Sequence, residues 1–221
     1  MYACKHARRE LFKIFGEPFR VPEIYWHLID KTLDMEGVKV IEAFRKAFAE
    51  WQPFMTPILF ESTSDRALAH IQINFAHDGD PDLPEPFGPE EVLAYAYFPI
   101  ENFSSMWFDE SENWGEMASA TRIDLFKVAV HELGHSLGVG HTDVSGDIME
   151  PFYDPSNPVV ITGDSSAAIN SLYGDYQNSL ESTSPPEFVP PESAPEPVSM
   201  WLWAVLLAIL AAVVAVIATQ D

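Results

Sequence analysis

The chain has 221 residues, 47% of them apolar and 13% aromatic, with a formal net charge of −22. Such a chain has the length and apolar fraction for a packed core plus further segments, which excludes disorder throughout. Cys4 is the only cysteine, which excludes an internal disulfide scaffold, and twelve Lys and Arg against thirty-four acids exclude nucleic acid as a partner.

Residues 1–21 form an N-terminal segment without a clear signal peptide. MYACKHARRELFKIF has basic residues but no uninterrupted apolar run of seven and no small-residue cleavage site. Three readings stay open: unconventional export, a shortened chain, or a head that faces the cytosol. Val38, Ile41, Phe44, Phe48 and Trp51 recur near helical spacing and predict a helix over 38–51. Ile58-Leu-Phe60 and the alternation from His70 to Phe75 read as strands, and Leu93 to Phe98 reads as another, ended by Pro99. Between Asp78 and Glu116 lie eleven acids and no base, either a solvated acidic surface or loops that hold hard cations.

Asp124 to Gly138 reads as a second helix stopped by its glycine, and a shorter third is expected from Ser165 to Tyr173, with Asp164 as cap and Gly174 as stop. Leu180 to Ser199 carries six prolines and four glutamates, the composition of a stiff, extended spacer. Met200 to Ala218 is nineteen consecutive apolar residues with Trp201 and Trp203 at its start. As a helix this run reaches ~28 Å, enough to cross a bilayer core. It reads as a transmembrane tail anchor or as a cleaved lipid-anchor signal. The expected organisation is therefore an N-terminal segment (1–21), a folded head (22–176), a Pro/Glu-rich linker (177–199) and a transmembrane helix or anchor signal (200–218), with the head extracellular.

The chemistry lies in His131-Glu-Leu-Gly-His135-Ser-Leu-Gly138-Val-Gly-His141. On a helix, residues four apart share a face, so His131 and His135 can meet one zinc ion. Gly138 can take the left-handed conformation that ends a helix, and His141 then turns back as third ligand. Three neutral ligands leave a fourth position for water, the mark of a catalytic rather than a structural site. Glu132 sits beside that position, placed as general base and acid for peptide hydrolysis.

These residues resemble the zinc motif of the metzincin metalloproteases, and among them the matrixin (matrix metalloproteinase) catalytic domain. Asp147-Ile-Met149-Glu-Pro151 is similar to the family's Met-turn, which implies that Met149 supports the site from beneath; an ordinary core methionine is the other reading. Thr142 after the third histidine also fits matrixins. The resemblance extends over roughly 22–176 and includes Leu93 to Pro99, similar to the edge strand along which substrate pairs its backbone. It implies an α+β fold with a twisted, mostly parallel sheet, an antiparallel edge strand and three helices. It also implies protein or peptide substrates bound in extended form. Pro151, Phe152 and Tyr153 resemble a wall of the specificity cleft. Lys127 occupies a position that tunes pocket depth in relatives, which points to a shallower or acid-tolerant pocket; a solvated surface lysine is the alternative.

Two departures stand out. Where the family's structural zinc has histidines, this chain aligns Asp80, Tyr95 and Trp107, with His77 nearby but alone, so that second zinc is expected to be absent. Asp109 and Glu112 match carboxylates that bind calcium in the family, and a calcium site or a solvated acidic loop both stay open. Cys4 lacks the neighbours of the family's Pro-Arg-Cys-Gly-type switch. The expectation is a membrane-anchored zinc metalloendopeptidase; the alternative is a catalytically silent, membrane-anchored binding module, for which a lost Glu132 or lost ligand would have been the sign.

Overall fold

In the computed structural model of the protein, which describes residues 13–88 and 92–182, burial of alternate residues Ile24 and Trp26 makes Glu23–Leu28 the first strand, β1. The run Met200 to Ala218, most of the spacer and residues 1–12 lie outside the described residues. Among the described residues no helix is long and apolar enough to cross a membrane.

The first helix, α1 (Gly37–Met55), buries Val40, Phe44, Ala47, Phe48, Trp51 and Met55 on one face, at the three- and four-residue spacing of an amphipathic helix. It is followed by β2 (Leu59–Ser62), a 3₁₀ turn at Arg66–Leu68, and β3 (Ile71–Ala76). Next come β4 (Ala94–Ala96) and β5 (Ser104–Asp109). These five strands form one sheet in the order β2-β1-β3-β5-β4. All its pairs are parallel except β4 with β5, where Ala94, Tyr95 and Ala96 face Phe108, Trp107 and Met106. β4 is therefore an antiparallel edge strand whose outer backbone groups have no strand beside them among the described residues.

A two-residue pair, β6 (Trp114–Gly115) with β7 (Ile123–Asp124), leads into α2 (Leu125–Ser136). Asp124 caps α2, its carboxylate accepting the Lys127 N–H at 3.3 Å. α1 packs along α2, and the Trp51 indole donates to the Val130 carbonyl at 2.9 Å, so helix α2 is fixed against the core by a hydrogen bond as well as by apolar contact. This α+β architecture of three helices among the described residues and a mostly parallel sheet is the expected one.

The third helix is longer than expected. α3 runs over Gly163–Ser182, with Gly174 inside it rather than at its end. A glycine costs a helix interior about 1 kcal/mol relative to alanine, and tertiary contacts offset that here. Ala168, Ile169, Leu172 and Tyr173 are buried, and Gln177 beyond the glycine donates to the Phe54 carbonyl at 2.9 Å. Residues 177–182, read above as the start of the linker, are thus the last turns of α3. Asp164, expected as its cap, lies in the first turn, where its own N–H donates to the Thr162 hydroxyl at 3.2 Å.

Candidate metal centre

Helix α2 presents His131 and His135 one turn apart, then stops abruptly. Gly138 has φ of +95°, and its N–H donates to the His135 carbonyl while the Val139 N–H donates to that of Gly134. A β-carbon at Gly138 would sit 2.8 Å from the Phe15 carbonyl oxygen, so glycine is required for space as well as for conformation. The chain then returns His141 to the helix. The three Nε2 atoms lie 3.1 Å (His131–His135), 3.2 Å (His131–His141) and 3.2 Å (His135–His141) apart. Bonds of 2.0–2.1 Å in a tetrahedral zinc site place ligand nitrogens about 3.3 Å from one another, so the triangle has the right size.

The protonation pattern also fits. His131 donates from Nδ1 to the Ile148 carbonyl at 2.7 Å, and His135 from Nδ1 to that of Val139 at 2.8 Å. Each of these rings, when neutral, then directs an unprotonated Nε2 at the others, an arrangement of facing lone pairs that a shared cation resolves. Burial pulls all three imidazoles below their usual range. His141 falls to about 4, helped by the charges of His131 and Lys13. His135 falls well below, helped by both other histidines. His131 falls too, with its bond to Ile148 and the carboxylate of Asp147 acting the other way. Among the described residues, these three are the only group of three or more His, Cys, Asp or Glu side chains whose ligand atoms converge.

Met149 packs against the helix that carries His131 and His135. It is fully buried, and a β-carbon at Gly134 would lie 2.3 Å from its sulfur, so the glycine inside α2 is what lets the Met-turn approach the helix. Glu132 is 5% exposed, one of its carboxylate oxygens has no hydrogen-bond partner, and burial pushes its pKa up to about 8. It lines, with the three histidines, a cleft of about 700 Å³. Leu93 and the β4 residues Ala94 to Ala96 line the same cleft, as do Lys127, Pro151 and Tyr153.

The structure thus gathers the predicted pocket residues beside the three histidines. Lys127 is not a solvated surface residue. It is 8% exposed, and its ammonium donates to the backbone carbonyls of Asp154 and, at 2.6 Å, Asn157, with the Tyr153 ring 5.5 Å away. Burial pulls its pKa down, against the pull of Asp154, Asp124 and Glu150. The Tyr153 hydroxyl accepts the Asp124 N–H at 3.0 Å, tying the cleft wall to the cap of α2.

The acidic region is arranged differently. Asp109 accepts the Ser111 N–H at 2.8 Å in a turn of its own, and neither it nor Glu112 joins a convergent group of three ligands among the described residues. Tyr95 and Trp107 face each other across β4 and β5, and the Tyr95 hydroxyl donates to the Glu85 carbonyl at 2.8 Å. Asp78 accepts the Phe87 N–H at 2.7 Å, and Asp80 that of His77 at 2.8 Å.

With the fold and the triad in view, the sequence profile of the matrixin family matches residues 18–174. The chain belongs to the matrixin family. It is 39% identical over 141 residues to metalloendoproteinase 4-MMP of Arabidopsis thaliana, covering 61% of this chain and 40% of that protein. Interstitial collagenase of Oryctolagus cuniculus is 36% identical over 156 residues, covering 70% and 32%. Stromelysin-1 of Rattus norvegicus is 35% identical over 164 residues, covering 72% and 34%. The chain spans about a third to two fifths of the length of these relatives.

Two matrixin-site residues carry structural weight that sequence reasoning passed over. Gly134 had a signal, being a glycine inside a helix, where it is normally unfavourable. Asp147 entered only as the first residue of the Met-turn-like run, with no role of its own, since a single acid in an acidic chain reads as surface; it is in fact 4% exposed.

Proposed function

We propose that the head is a zinc-dependent endopeptidase that cleaves protein or peptide substrates bound in extended conformation. The observation that carries this is the meeting of three imidazole nitrogens at 3.1–3.2 Å in one cleft with the unpartnered carboxylate of Glu132. His131, His135 and His141 hold the metal. When bound, zinc supplies Lewis acidity, polarising the scissile carbonyl and acidifying water toward neutral pH.

The protein's own groups do the rest. The open edge of β4 takes the substrate backbone as an added strand, which fixes the scissile bond over the histidines. Glu132 accepts a proton from the attacking water and passes it to the departing amine, and its burial suits it to hold that proton in between. Lys127, anchored to the carbonyls of Asp154 and Asn157, limits the side-chain pocket, a role that supports the shallower of the two readings of its position. Asp109 and Glu112 remain candidates for calcium on family resemblance alone, and no step of the reaction depends on them. The membrane location rests on the sequence of Met200 to Ala218, and carbonate extraction of expressed protein checks it.

The test of the activity is a quenched-peptide assay with a chelator control and Glu132→Ala. Chelation should abolish cleavage and zinc restore it, and the variant should lose about 10²–10⁴-fold in kcat. Cleavage that survives both treatments refutes the mechanism.

A further inference from the structure

We infer that Asp147 is a positioning residue for the metal ligand His131, acting through the Met-turn peptide that carries the Ile148 carbonyl; the inference rests on the metallopeptidase reading above. Its carboxylate accepts four hydrogen bonds. Oδ1 takes the Met149 N–H and the Ser165 hydroxyl, both at 2.7 Å. Oδ2 takes the Thr162 N–H at 2.9 Å and the Thr162 hydroxyl at 2.5 Å. All four donors are neutral, and they come from two places, the Met-turn itself and the entry to α3. A buried carboxylate is stable only when its lone pairs are filled in this way. The result is a clamp that fixes the turn to the start of the third helix.

Between Asp147 and Met149, the two ends of that clamp within the turn, lies Ile148. Its N–H donates to the Val160 carbonyl at 2.7 Å, and its own carbonyl accepts Nδ1–H of His131 at 2.7 Å. The chain of contacts therefore runs from carboxylate to turn peptide to imidazole, and it sets both the tautomer and the ring orientation of one ligand. His135 has no share in it. Its acceptor is the Val139 carbonyl, fixed by the helix ending around Gly138. Loss of Asp147 should disturb one ligand of the three and leave the helix that carries it intact.

The experiment measures zinc affinity of the folded protein by competition with a chromophoric chelator, well below the melting temperature, for wild type, Asp147→Ala and Asp147→Asn. The alanine variant is expected to bind zinc about 10–100-fold more weakly, the usual effect of removing an outer partner of a metal-bound histidine. The asparagine variant keeps the side-chain shape and an acceptor for Met149 while losing one for Thr162, so it keeps the question open to measurement if alanine prevents folding. It should show a smaller loss in the same direction. The absorption spectrum of the cobalt-substituted variants should shift as well, which a role in stability alone does not produce. Variant affinities within about twofold of wild type, with unchanged cobalt spectra, overturn the assignment. A wild-type chain that binds no zinc overturns the metallopeptidase reading instead.

Discussion

Replacing Gly134 with alanine should destabilise the head even though alanine is the better helix former. The gain in helix propensity is about 1 kcal/mol. Against it stands the space at this position: the new β-carbon would lie 2.3 Å from the Met149 sulfur, 2.9 Å from its terminal methyl and 2.9 Å from the Trp51 ring. Ordinary van der Waals contact needs more than an ångström beyond the first of these distances. Met149 and Trp51 are both fully buried, and the Trp51 indole is further held by its hydrogen bond to Val130, so neither can turn out toward solvent. Overpacking costs about 1–3 kcal/mol or more, and with two fully buried neighbours inside 3 Å the upper part of that range, about 2–3 kcal/mol, applies, which leaves a net loss of about 1–2 kcal/mol. In a domain of this size that is a fall of roughly 2–8 °C in Tm. Differential scanning calorimetry of the zinc-loaded protein reads it, and Gly134→Ala combined with Met149→Ala should recover part of the strain component because the space is then vacated. A single variant as stable as wild type, or a double variant no better than the sum of its parts, refutes the packing argument.

Lys127→Leu removes the ammonium that ties α2 to the carbonyls of Asp154 and Asn157, and should broaden cleavage of peptide libraries toward larger apolar side chains just after the scissile bond; an unchanged preference refutes the pocket role. The metal-free protein should have a bell-shaped dependence of stability on pH. His141 has its folded pKa lowered to about 4, and His131 and His135 are lowered too, so stability is lost as pH falls from the ordinary histidine range toward 4. Glu132 has its pKa raised to about 8, so stability is also lost as pH rises from the ordinary carboxylate range through 8. Thermal melts of chelated protein across that range check both limbs, and Glu132→Gln should remove the loss between the ordinary histidine range and 8.

The parts of the fold legible in the sequence were those whose signal is local. The histidine spacing, the glycine that ends α2 and the apolar face of α1 all act within a turn or two of chain. β1 and β5 carry no comparable mark. β5 opens with Ser104 and Ser105, both buried, and Ser104 is tolerated there because its hydroxyl donates to the Tyr97 carbonyl at 2.7 Å. α3 outlasts Gly174 because of a contact with α1 more than a hundred residues away, which no window of sequence contains. Lys127 and Asp147 show the same limit from the other side. Each is a charged residue whose type predicts exposure, and each is buried because its partners arrive from distant segments.

The open edge of β4 has a consequence for how the protein behaves in company with itself. An unpaired strand edge that accepts a peptide is also a template for the edge of another copy, the usual route to sheet-mediated aggregation. Here the edge is three residues long, enough to set the register of one bound peptide and too short to seed an extended intermolecular sheet. A net charge of −22 adds mutual repulsion between copies. If β4 takes a peptide as proposed, the shortness of that edge and the acidity of the chain both act against the same edge pairing with another copy.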